Sequence, residues 1–196
     1  MARLTTEERQ RMIVDEAIKI IHNTGYSSLS IRELSQRVGI SESAIYRHFL
    51  NKEDIILGIL SRFGEFDEQL INEMNLISNP MDKIRHFVLF HFKFLEKNKE
   101  MTSVLFSEHI FTESEILRNK MMITIQKRKE IVSNVIEAAK KESKISDIPT
   151  RELLTMLLGY IRLVVLEWRL SSFSFSLLER GNQVLKAIEI IMIGEK

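Results

Sequence analysis

Cysteine is absent from this 196-residue chain, and proline and glycine are scarce, at two and seven residues. Without a thiol there is no disulfide framework, thiolate zinc site or cysteine nucleophile, and a reducing, cytoplasmic setting is expected. The opening residues, Met1 to Glu8, lack the apolar core of a secretory signal. The most apolar stretch, 153–170, is interrupted by Arg162, Glu167 and Arg169, so no membrane span is expected. Charge is nearly balanced, at +1 overall; residues 1–52 hold 8 Lys and Arg against 6 Asp and Glu, leaving 20 against 21 elsewhere. Totals this even do not identify a nucleic-acid binder, and any such argument must rest on placement.

What is present reads as helix throughout. Few residues break helices, and no run alternates at period two, so the fold class is expected to be all-α. Thr5-x-x-Glu8, Ser30-x-x-Glu33, Thr112-x-x-Glu115 and Ser176-x-x-Glu179 have the form of capping boxes. Asn79-Pro80 and Pro149 suit helix starts. The pattern predicts nine helices, at roughly 6–23, 31–37, 42–48, 52–77, 80–96, 99–109, 113–142, 150–170 and 177–193. Short helices give way to long ones near Lys52. That change divides the chain into 1–51 and 52–196, within what reads as a continuous helix.

The first part has a specific layout. Ile13, Ala17, Ile20 and Ile21 form one apolar stripe, followed by Gly25 where a helix end needs a left-handed residue, and by Tyr26, which can fold back onto that end. Two short helices are each opened by a serine, Ser30 and Ser41. Gly39 suits the sharp turn between them, with Val38, Ile40, Ile45 and Phe49 as the inward wedge. Small residues at the start of the second short helix, Ser43 and Ala44, allow close approach to base edges. Arg47 offers a planar donor fork to guanine, while Tyr46 and His48 can donate to phosphate oxygens. Lys52, at the start of the next helix, can join its N–H groups in holding a phosphate.

The string Gly25-Tyr26-x-x-Leu29-Ser30-Ile31-Arg32-x-Leu34-x-x-x-Val38-Gly39-Ile40-Ser41-x-x-x-Ile45-Tyr46-x-His48-Phe49-x-Asn51-Lys52-Glu53 closely resembles the signature of the TetR family of transcriptional regulators. The resemblance spans roughly residues 11–57. It implies that Arg32, Ser43, Ala44 and Arg47 read bases, and that Ser30, Tyr46, His48 and Lys52 hold phosphates. Two residues depart from the pattern: Ser35 stands where the family packs an alanine, and Glu42 puts an acid at the DNA-facing start of the recognition helix. The resemblance further implies a three-helix, helix-turn-helix DNA-binding domain, followed by a larger helical domain that binds a small molecule and pairs two subunits.

The remaining residues fit that implication without demanding it. The segment around Phe87, Phe90, His91 and Phe94 is apolar on all sides, as in a helix deep in a bundle. With Phe106 and Met121, these residues either line an apolar effector pocket or fill a core. His86, His91 and His109, with Glu108, are the only metal-ligand candidates; the first two are five apart and share no helical face, so no metal is expected. Helices 150–170 and 177–193 carry more apolar surface than one subunit needs. Gly159, Tyr160, Leu163, Val184, Ile188 and Ile191 are therefore assigned to a homodimer interface, with Gly159 facing a partner helix, facing its own core or making room for a ligand. The run Lys127-Arg128-Lys129-Glu130 reads as a solvated face.

The expected protein is thus a homodimeric regulator, a repressor that binds double-stranded palindromic operator DNA and is released by a small apolar effector. It carries no cofactor, and no nucleophile–base pair or glycine-rich phosphate loop marks an enzyme. Two rivals stand beside it: a DNA-binding protein of the same fold that answers to a protein partner or organises DNA, and an all-helical enzyme.

Overall fold

The computed structural model describes residues 4–142, 145–146 and 148–193. Met1, Ala2 and Arg3, part of the stretch read for a secretory signal, lie outside the described residues. Among the described residues there are ten α-helices, two short 3-10 turns and no strand.

The chain forms two compact units. The first runs to Phe66 and includes Asn98–Thr124; the second comprises Asp67–Lys97 and the residues from Ile125 onward. Compactness therefore does not follow a single cut at residue 52, because the segment after Lys97 groups with the amino-terminal helices.

In the first unit, helix α1 (Thr6–Thr24) opens with a complete capping box between Thr5 and Glu8 and buries Ile13, Val14, Ala17, Ile18, Ile20 and Ile21. Gly25 ends it at φ +85° and ψ 163°, a positive-φ conformation but not the left-handed helical one expected. Helices α2 (Ile31–Val38) and α3 (Glu42–Tyr46) follow; α3 ends two residues earlier than its pattern suggested, with Arg47 as its last cap. Helix α4 (Lys52–Asn75) is unbroken.

The helix expected at 99–109 is three pieces instead: a 3-10 turn at Lys99–Met101, then α6 (Thr102–Leu105) and α7 (Glu108–Thr112). Two local features break it. The Thr102 hydroxyl donates to the Lys99 carbonyl at 2.6 Å, and Ser107 is extended, at φ −90° and ψ 107°. Helix α8 (Glu115–Lys141) is capped by Ser114, which accepts from Leu117 N at 3.2 Å, and not by Thr112, whose hydroxyl turns back to His109.

The second unit packs α5 (Pro80–Lys97), α9 (Thr150–Leu170) and α10 (Leu177–Ile193) together. Helix α5 is not buried all round. Ile84, Phe87, Val88, His91, Phe92 and Leu95 share one buried face, whereas Arg85 and Lys93 are exposed. Close packing of α10 needs a glycine: a Cβ on Gly181 would meet the Phe92 ring at 2.5 Å. No helix among the described residues is long and apolar enough to cross a membrane.

Candidate functional site

The helix-turn-helix is built from short-range bonds. Ser30 caps α2 by accepting from Glu33 N at 3.1 Å, while the Glu33 carboxylate accepts from Arg37 Nε at 2.7 Å instead of completing a box. Gly39, left-handed at φ +72°, lets both Gly39 N and Ile40 N reach the Ser35 carbonyl, at 3.0 and 3.1 Å. Ser35 itself is buried, and its hydroxyl donates to the Arg32 carbonyl at 2.8 Å, so a serine is satisfied at this position. Ser41 caps α3 by accepting from Ala44 N at 3.2 Å, and its hydroxyl lies 2.9 Å from that of Ser43. Leu34, Ile45 and Phe49 are buried beneath, with Val38 and Ile40 half-buried.

This scaffold turns a polar set outward. Arg32, Glu42, Ser43, Tyr46 and Arg47 are exposed, and Ala44 is half-buried. Neither Arg32 nor Arg47 has an ion-pair partner among the described residues. His48 is half-buried, and its Nδ1 is enclosed without a hydrogen-bond partner among those residues.

Lys52 has a partner that its sequence position did not announce. Its ammonium donates to the Tyr26 carbonyl at 2.6 Å and lies 3.5 Å from the centroid of the Tyr26 ring. Burial holds its pKa below the usual lysine range, against the opposing charge of Glu113. The start of α4 is also occupied. Asn51 accepts from Asp54 N at 2.8 Å, and the Asp54 carboxylate accepts from Leu50 N at 3.0 Å. Acids at that terminus disfavour a phosphate on the helix end itself.

In the second unit, α5 carries four of the six residues assigned to an effector pocket: Phe87 and His91 are buried, Phe90 and Phe94 half-buried. Phe106 and Met121, both half-buried, belong to the first unit. His91 Nδ1–H donates to the Phe87 carbonyl at 2.7 Å, and the two rings lie 4.3 Å apart. Burial, aided by the charge of Arg128, pushes the His91 pKa down to about 3.

The Arg128 guanidinium is not on a solvated face. Its Nε and Nη2 donate to one oxygen of Asp67, at 3.0 and 2.9 Å, with both side chains largely buried. The sequence carried a signal for this: Arg128 keeps helical register with the buried Val132, Val135, Ile136 and Ala139. Lys127, Lys129 and Glu130 are exposed as expected.

On α9 and α10 the assigned residues separate. Leu163 and Ile191 are exposed, at 55% and 50%, as are Leu166 and Leu170 on α9 and Ile190 on α10. Gly159 is exposed on the same face of α9, and nothing lies within 4 Å of a Cβ built on it, so it does not face its own core. Ile188, by contrast, is 4% exposed and packs inside its own unit, and Val184 is half-buried. The Tyr160 hydroxyl donates to the Arg180 carbonyl at 3.1 Å, and burial pushes its pKa up to about 12. His86 and His91 lie in the second unit and His109 in the first; among the described residues no three potential ligands cluster as a metal site.

Comparison with known proteins places this geometry. A family model described as "Bacterial regulatory proteins, tetR family" matches residues 13–59, and one described as "YsiA-like protein, C-terminal region" matches residues 60–191. The chain is 22% identical over 178 residues to the fatty acid metabolism regulator protein of Bacillus subtilis, covering 90% of this chain and 91% of that one. It is 26% identical over 159 residues to the nucleoid occlusion factor SlmA of Vibrio cholerae, covering 78% and 79%. Its fold is similar to that of the transcriptional regulator FadR from Bacillus subtilis, solved in complex with stearoyl-CoA. The TM-score is 0.81 at 21% identity, covering 93% of this chain and 98% of that one.

Proposed function

The chain belongs to the TetR family of bacterial regulatory proteins and is a DNA-binding transcriptional regulator, and we propose that it is a homodimeric repressor released from a palindromic operator by an acyl-coenzyme A thioester. The observation that carries the DNA reading is the outward pair Arg32 and Arg47. These are two guanidiniums on the α2 and α3 side of a well-capped turn, without an ion-pair partner among the described residues. We assign DNA reading to residues 1–51 and effector binding and pairing to 52–196.

Arg32, Ser43, Ala44 and Arg47 face base edges; Ser30, Tyr46, His48 and Lys52 face phosphates. An ammonium has three donors, and the one given to Tyr26 leaves two for DNA. In the second unit, Phe87, Phe90, His91 and Phe94 hold the acyl chain. The stearoyl-CoA seen with the Bacillus subtilis FadR, and the fatty-acid role in the name of the curated relative, supply the chemical class. The exposed apolar face of Gly159, Leu163, Leu166, Leu170, Ile190 and Ile191 is covered by the same face of a second copy. The effector acts by favouring a spacing of the two reading heads that departs from the groove repeat of about 34–36 Å. A protein of this kind works in the cytoplasm.

Selection of binding sites from a random duplex pool tests the DNA reading. The expected product is an inverted repeat, on which Arg47→Ala costs about 1–3 kcal/mol and relaxes one position in each half-site. An equal loss on random DNA would make Arg47 a phosphate contact. The second reading, an organiser of DNA without a small-molecule effector, draws on the similarity to SlmA. It predicts operator binding that no acyl thioester alters.

A further inference from the structure

Helix α3 is short, and Arg47, at φ −71° and ψ −19°, continues its helical register. Residues four apart on a helix lie one above the other. Glu42 with Tyr46, and Ser43 with Arg47, therefore form two columns; all four residues are exposed, while Ile45 is fully buried. The Ser43 hydroxyl is already engaged, 2.9 Å from that of Ser41. The long groups left to reach away from the helix are Glu42, Tyr46 and Arg47.

Glu42 is the only acid of α3. Among the described residues no cation pairs with its carboxylate. Arg37, five residues before it, is committed to Glu33 at 2.7 Å, and Arg47, five residues after it, has no ion-pair partner. The second helix of a helix-turn-helix enters the major groove of DNA. A carboxylate there is repelled by the phosphates and gains only where a base offers it a donor. Being ionised, it can accept hydrogen bonds but not give them. Guanine presents two acceptors in that groove, O6 and N7, and thymine presents O4. Adenine sets its N7 acceptor beside the N6 amine, whereas cytosine offers the N4 amine with no acceptor next to it on the same base. Cytosine is thus the one base whose edge holds nothing that repels Glu42.

We propose that the Glu42 carboxylate accepts a hydrogen bond from the N4 amine of a cytosine in each operator half-site, which makes Glu42 a specificity-determining residue. This rests on the DNA-reading role of α3 and adds an acidic reader to the two arginines. An acid in the first turn also suits the helix dipole. That effect acts on the stability of α3 and leaves base preference untouched, so the two roles separate by measurement.

The test uses the full chain. Duplexes selected from a random pool by the wild type should carry a C·G pair at one position of each half-site that Glu42→Ala no longer selects. Replacing that cytosine with 2-pyrimidinone, which is cytosine without its N4 amine, should weaken wild-type binding about five- to tenfold at constant salt. The same replacement should cost Glu42→Ala little. Glu42→Gln, whose amide both donates and accepts, should move the preference at that position to adenine, which presents N6 and N7. Glu42→Ala that selects the same sequences and binds all of them more tightly overturns the assignment and leaves Glu42 as a source of repulsion. A lower urea midpoint with unchanged preference also overturns it and leaves only the dipole. A wild-type selection that enriches no sequence would instead refute base reading by α3.

Discussion

The Lys52 ammonium lies 3.5 Å from the Tyr26 ring centroid and donates to the Tyr26 carbonyl at 2.6 Å. One lysine thereby ties the first turn of α4 to the chain just after α1, across the helix-turn-helix. The side chain expected to hold DNA phosphate also holds the reading head together. Both roles need the charge in the same place, and burial of the stem accounts for its lowered pKa.

Lys52→Ala should therefore do two things. Loss of a charged hydrogen bond should lower stability by about 1.5–3 kcal/mol, read from the urea midpoint. Operator affinity should weaken on every sequence, with the salt slope falling by about one per protomer. Lower stability with an unchanged slope would leave Lys52 structural only.

Removing one member of the Asp67–Arg128 pair should be worse than removing both. Both side chains are enclosed, at 3% and 14% exposure, so Asp67→Ala takes the carboxylate away from a buried guanidinium. Breaking such a pair costs about 3–5 kcal/mol, whereas apolar replacement of both members is often nearly neutral. Denaturant midpoints of Asp67→Ala, Arg128→Met and the double variant measure this. A double variant no more stable than Asp67→Ala would contradict it.

The helix-turn-helix was legible because it is local: its caps, turn glycine and wedge lie within a span of about twenty residues, each with its own chemical signature. The far end of Lys52's bond was not, since Tyr26 is 26 residues away and a backbone carbonyl leaves no mark in a sequence. Arg128 was misread for a related reason. A run of charges looks solvated until register shows that one of them shares a face with Val132 and Val135. The break at Phe106 and Ser107 depends on backbone geometry that apolar spacing does not encode.

His91 should make stability pH-dependent. Its folded pKa is about 3, below the ordinary 6.5, so on acidification the unfolded chain takes up the proton first. Its contribution is intact above about pH 6.5 and is lost progressively from there towards pH 3. The wild type should lose up to about 1.4 kcal/mol per pH unit more than His91→Gln does below pH 6.5. Parallel stability curves for the two proteins would show that His91 is protonated at little cost.

The exposed face of α9 gives a direct handle on assembly. Leu163, Leu166 and Leu170 are 55%, 46% and 78% exposed, beside an unobstructed Gly159. Leu163→Glu should leave helical content unchanged but produce monomers in sedimentation, with a collapse of operator affinity. A dimer with normal affinity would remove this face from the interface.

The central claim is that an acyl thioester releases the regulator from its operator. Fluorescence anisotropy of a labelled operator duplex, saturated with the full chain and titrated with stearoyl-CoA, tests it most directly, with free coenzyme A as the control. The account predicts that anisotropy falls to that of free DNA with stearoyl-CoA and stays high with coenzyme A. Anisotropy that remains high with both would contradict it.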